Sequence, residues 1–137
     1  MQEASVKAFK NELRNYTFYQ TKVVSLTDSI EMCYERLGGV RGIDPSKEPL
    51  HTAPNKELEW QIREEIEIFI KEKELFDRKI AYIERILSQI DEPYRSAVTD
   101  IFAHGVNSYK VASGMNYSQS GLLHQINKSI KMALEVK

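Results

Sequence analysis

The sequence predicts an all-α protein: an N-terminal helical hairpin of long, coiled-coil-like helices, then a C-terminal three-helix domain of helix-turn-helix type. Three observations predict it. A stretch of nearly 30 residues in the middle repeats apolar positions at alternating steps of four and three. The N-terminal segment shows a looser form of the same spacing. The last third breaks into short apolar-faced units, each opened by a capping residue. A chain of 137 residues accommodates one ordinary domain or two small ones.

In the N-terminal segment, Val6, Phe9, Leu13, Tyr16, Gln20, Val23, Ile30, Tyr34 and Leu37 keep helical spacing with one gap at Thr27. β-Branched and aromatic residues crowd positions 16–24, so a break is expected somewhere in 16–28. The pair Gly38–Gly39 is expected to stop the helix, because glycine takes the left-handed cap conformation without strain. A Gly/Pro loop then covers 38–54, with Gly42, Pro45, Pro49 and Pro54. The single cysteine, Cys33, reads as a small core residue.

The middle segment is the most regular. Ile62, Ile66, Phe69, Lys73, Phe76, Ile80, Ile83, Leu87 and Ile90 form an a/d seam interrupted only by Lys73. Asn55 is the expected N-cap, and Glu57 and Glu59 suit the positive end of a helix. No Gly or Pro lies between 55 and 92, so one helix of about 35 residues, roughly 50 Å long, is expected. Its seam serves as the core of the hairpin, as an oligomerisation surface, or as both. Lys73 either sets register or reaches out to solvent.

The domain boundary is placed at residues 90 and 91, giving a hairpin or oligomerisation region over 1–90 and a second domain over 91–137. Asp91 is expected to cap a helix running from Pro93 to His104, which Gly105 ends. Its apolar face is Tyr94, Ala97, Val98, Ile101 and Phe102. Ser108 is the expected cap of the next helix, a turn follows at 115–117, and Ser118 caps the last helix, whose inner face is Leu122, Ile126, Ile130 and Ala133 or Leu134. Two helices crossing at a tight turn need a small residue where they approach, and Ala112 supplies it. They also need a residue tolerant of left-handed geometry four positions later, and Asn116 supplies that.

The run SYKVASGMNYSQSGLLHQINKSIK over 108–131 resembles region 4 of sigma-70-type factors. The helical N-terminal half, the Gly/Pro loop, the acidic helix and the lead-in IDEPYR are similar to phage late-transcription activators of the ArpU and RinA kind. The resemblance implies a cytoplasmic regulator in a bacterial host that binds double-stranded DNA and activates late phage or prophage genes. RNA polymerase is a further implied partner. The last helix would enter the major groove. Gln119, Ser120, Leu123, His124 and Asn127 are the candidate base-contacting residues, and Ser108, Tyr109, Lys110, Ser118, Lys128 and Lys131 the candidate phosphate contacts. Gln and Asn can read adenine, Ser takes either role, and Leu123 can meet a thymine methyl. The helix is poor in Lys and Arg for a sigma-like reader, and Gly121 lies inside it at a cost of about 1 kcal/mol.

Charge is unevenly distributed. Residues 57–92 carry six basic against eleven acidic side chains, whereas 93–137 carry five against two. So small an excess predicts weak binding by one module, and hence a homodimer or higher oligomer on paired half-sites. The acidic middle leaves a second reading open: a helix-turn-helix protein that works through protein–protein contact, as an adaptor or inhibitor of a transcription or phage/host partner. No catalytic residue, metal site or cofactor is expected. His51, His104, His124 and Cys33 lack ligand spacing, no phosphate loop or nucleophile motif occurs, and the many Glu of 57–74 form a solvated helix face. No apolar run approaches the roughly 18 residues of a membrane span, and the N-terminus lacks the layout of a secretory signal.

Overall fold

The computed structural model describes residues 2–40 and 56–136, and the described residues are all-helical. In chain order the helices are α1 (Gln2–Arg14), α2 (Tyr16–Val40), α3 (Lys56–Ser88), α4 (Tyr94–Val98), α5 (Ser108–Gly114) and α6 (Gln119–Glu135). A π-helical segment, Thr99–Ala103, continues α4. Residues 41–54 of the expected Gly/Pro loop and the expected cap Asn55 lie outside the described residues.

The break between α1 and α2 falls at Asn15, one residue before the expected window. Its amide N–H donates to Glu12 O and its side chain to Asn11 O, so Asn15 competes with the helix for its own backbone groups. After the break, every second position of the expected α2 seam shifts by one residue, while Val23, Ile30 and Leu37 keep theirs. Val6, Phe9 and Leu13 are buried as expected, but α2 then buries Tyr19, Leu26, Cys33 and Leu37, with Val23 and Ile30 half-buried. Gln20, Thr27 and Tyr34, the seam positions of an unbroken helix, are each displaced by one residue, and Tyr34 is 54% exposed. The gap at Thr27 disappears, because Leu26 occupies the seam.

The Gly38–Gly39 pair does not end α2, which runs on to Val40. Glycine in a helix costs about 1 kcal/mol each, but the buried Leu37 anchors this last turn. The expected register is observed through α3 and at Ile90, which lies just past its end at Ser88. Ile62, Ile66, Ile83, Leu87 and Ile90 are buried and Phe69, Lys73, Phe76 and Ile80 half-buried. Lys73 turns outward to pair with Asp77 at 3.1 Å, one helical turn on.

The chain divides into two compact units, 1–20 with 78–137 and 21–77. The boundary expected at residues 90 and 91 therefore falls inside the first unit. The reason is packing: α1 lies against α6 and the π-helical segment, and α4 and α5 also pack on α6. Phe9, Leu13, Ile83, Ile90, Val98, Leu122, Ile126 and Ile130 are fully buried there, each contributing about 1.5–3 kcal/mol of transfer free energy. In the second unit Cys33, Leu37, Ile62 and Ile66 form one cluster flanked by Leu58 and Phe69, so Cys33 is indeed a core residue. Its thiol faces Glu65, which Arg36 pairs at 3.0 Å.

The start of α4 differs from expectation. Asp91 provides no side-chain cap. Instead Glu92 accepts from Ser96 N–H at 3.2 Å and Ser96 Oγ at 2.7 Å, which holds its carboxyl below the usual carboxylate range. Arg95 Nε donates to Leu87 O and Ile90 O, and so closes the negative end of α3. Gly105, with φ +67°, ends the π-helical segment as the sequence suggests.

Candidate nucleic-acid interface

The α5–α6 pair is built on local chemistry. Asn107, not Ser108, caps α5, its side chain accepting from Tyr109 N–H at 2.8 Å. Asn107 and Ser108 are both good caps, and the position of Ser108 inside the first turn decides between them. Ala112 is 1% exposed, so the small residue expected at the crossing is buried there. Asn116 adopts φ +63°, the left-handed conformation expected of it, and Tyr117 N–H donates back to Ala112 O at 2.9 Å. Tyr94 and Tyr117 join hydroxyls at 2.6 Å and pack edge to face, which fixes α4 against the turn. Ser118 caps α6 through Gly121 N–H at 3.1 Å. An added Cβ at Gly121 would lie 2.8 Å from that same Ser118 hydroxyl, so the glycine makes room for the cap.

Leu122, Ile126, Ile130 and Ala133 form the buried stripe of α6. Ser120, His124, Asn127, Lys128 and Lys131 are exposed, and helical spacing places them on the face turned away from that stripe. Leu123 is half-buried at its flank. Gln119 is also half-buried, and its amide donates to Ser108 Oγ at 3.1 Å. Two expected contact residues thus hold each other. Asn127 accepts a hydrogen bond from Lys10 Nζ of α1. Tyr109 and Lys110 are exposed on α5, Tyr109 at 66%. The N–H groups of Gln119 and Ser120, at the positive end of α6, have no hydrogen-bond partner among the described residues.

Two residues of this surface were not foreseen. Lys10 and Arg14 lie over the Phe102 ring, 5.2 and 5.4 Å from its centroid. Burial and then the Arg14 charge hold the Lys10 ammonium below its ordinary pKa. Neither side chain forms an ion pair with a carboxylate among the described residues. The one available signal was the 3- and 4-residue spacing of Lys7, Lys10 and Arg14, which places them on one side of α1.

The electrostatics of the two units differ in sign. The first contains eleven basic and seven acidic residues, the second eight and thirteen. Between Asp100 and Glu135 the chain carries no carboxylate side chain. Among the described residues no helix is long and apolar enough to cross a membrane.

No family model matches the sequence, and comparisons with curated proteins and with solved structures likewise give no match.

Proposed function

We propose that the protein is a DNA-binding transcription regulator in which α5 and α6 form a helix-turn-helix and α6 enters the major groove. In this reading α2 and α3 are the helical hairpin. The observation that carries the proposal is the outward face of α6: Ser120, His124, Asn127, Lys128 and Lys131 on a helix anchored by a left-handed Asn116 and a Ser118 cap, in a stretch free of carboxylates. Ser120 and His124 are the principal base readers. The tie between Gln119 and Ser108 gives those two a positioning part, as it fixes the start of α6 against α5. Lys128, Lys131, Lys110 and the free amides of Gln119 and Ser120 take phosphates. Activation of late phage or prophage genes, with RNA polymerase as a partner, is the regulatory role the sigma-like resemblance favours.

Self-association belongs to the same reading. The seam of α3 is occupied within the chain, but Trp60, Ile68 and Leu75 are 63%, 58% and 48% exposed at steps of eight and seven. They form a second stripe on α3, away from the buried one, suited to a second copy. A dimer would double the number of phosphate contacts.

Fluorescence anisotropy tests the proposal, with a labelled duplex from the DNA flanking the gene and a scrambled duplex as control, each at several salt concentrations. Tighter binding to the flanking duplex with a steep salt dependence is expected. Equal, salt-insensitive binding to both, or none, would reject it in favour of a partner protein, with the acidic face of α3 as the first surface to probe.

A further inference from the structure

We infer that α1 is part of the DNA-contacting surface: Lys7, Lys10 and Arg14 grip the phosphate backbone alongside the groove that α6 enters. This contact deepens the DNA-binding reading of α6 and rests on it. Three observations support it. First, α1 packs directly on α6, and Lys10 hydrogen-bonds Asn127 on the outer part of that helix. Packed helices lie about 8–10 Å apart, axis to axis, and the major groove is about 12 Å wide. A helix packed beside the reader therefore rides over the bordering backbone.

Second, the three cations share one side of α1 and are spread over seven residue steps, about 10 Å of helix rise. A strand of DNA carries one phosphate for each base step, and the strip is long enough to reach successive phosphates of one strand. Third, these cations lack acidic partners among the described residues. Lys7 and Arg14 are exposed, Lys10 and Arg14 are held over Phe102, and none pairs with a carboxylate among the described residues. Glu12 of the same helix is turned elsewhere, accepting from the Tyr19 hydroxyl at 2.7 Å with Lys79 at 3.9 Å. Burial and the mutual repulsion of Lys10 and Arg14 hold the Lys10 ammonium below its usual pKa, and an approaching polyanion would relieve that repulsion. The strip supplies the basic charge that α6 itself lacks.

The test uses the full-length protein and a mixed-sequence duplex of about three helical turns, because phosphate contacts do not depend on sequence. Affinity is measured against salt for the wild type, for Lys7→Gln/Lys10→Gln/Arg14→Gln, and for Lys7→Gln/Arg14→Gln, which keeps the Lys10–Asn127 contact if the triple variant folds poorly. A charge-matched control, Lys56→Gln/Lys71→Gln, alters exposed residues of α3. Each lost contact reduces the slope of log K against log salt by about 0.9. The triple variant should therefore lose about 2.7 in slope, and the double about 1.8. At about 0.1 M salt the triple loss is roughly 500-fold in affinity. The control should keep the wild-type slope. A wild type with a steep slope and an unchanged double variant would overturn the role of α1 while leaving α6 as a DNA reader. Equal losses in the double variant and the control would also overturn it, as a net-charge effect. A wild type that binds no duplex would overturn both.

Discussion

Replacing Gly121 by alanine sets a gain in helix propensity against the loss of a cap, and the geometry says that the two nearly cancel. In an open helical position the substitution stabilises by about 1 kcal/mol. Here the new Cβ would sit 2.8 Å from Ser118 Oγ, inside van der Waals contact. The hydroxyl must then swing away from Gly121 N–H, to which it is bonded at 3.1 Å. Losing a serine cap costs about 1 kcal/mol. Gly121→Ala alone should therefore change stability by less than about 0.5 kcal/mol. In a Ser118→Ala background the cap is already absent and the clash with it, so the same substitution should recover the full gain of about 1 kcal/mol. The double-mutant cycle thus carries a coupling of about 1 kcal/mol, measurable by urea unfolding followed by far-UV circular dichroism. Amide exchange at Leu122, whose N–H donates to Ser118 O at 2.9 Å, reports locally on the same turn. If Gly121→Ala stabilises equally in both backgrounds, the hydroxyl is not what selects glycine at this position.

Three further outcomes follow from the same structure. Asn116 sits at φ +63°, so Asn116→Ala should be about 1 kcal/mol less stable than Asn116→Gly in urea unfolding; equal stabilities would mean that the turn relaxes out of the left-handed region. Burial, followed by hydrogen bonds to Glu84 and Glu12, pushes the Tyr16 and Tyr19 hydroxyls up to about 12. The folded state therefore keeps these protons longer than the unfolded chain, and the stability they contribute is complete below pH about 10 and lost as pH climbs towards 12. Tyrosinate absorbance should show at least two late phenols, and Glu84→Gln should bring one of them down; no late fraction would contradict the burial. Sedimentation analysis should find Trp60→Ser/Ile68→Ser/Leu75→Ser monomeric and the wild type associated, whereas a monomeric wild type would remove the exposed stripe of α3 as a self-association surface.

The parts of this structure readable in the sequence are those governed by neighbours along the chain. The register of α3 was legible because no Gly or Pro interrupts it: its apolar seam positions are buried or half-buried, and the one lysine among them, Lys73, turns out to Asp77 a turn away. The Asn116 turn and the Ser118 cap were legible because each depends on contacts within about four residues. Identifying Ser108 as the cap failed over one residue because Asn107 is equally suited. The α2 seam was legible at Val23, Ile30 and Leu37 but not at the positions between them, which the break at Asn15 moves by one residue. Thr27 was the trace left in the sequence, a gap that disappears once the helix is allowed to restart after residue 15.

The candidate surface shows why local reading stops short of a site. In the sequence Asn127 is a candidate base contact, because its neighbours along α6 place it on the outward face. What engages it is Lys10, 117 residues earlier. The same long-range packing moves α1 into the basic unit and leaves the acidic residues of α3 largely in the other. Charge that appears nearly balanced along the chain is therefore sorted by folding into a cationic body around α6 and an anionic one. On the proposed reading, a polyanion docked on α6 meets first the charges within about 8 Å of it, since exposed charges farther off are largely screened at physiological salt. The Arg-poor face of α6 is thus no argument against the proposed phosphate contact, because cations that border α6, Lys10 and Arg14 of α1, come from a different part of the sequence.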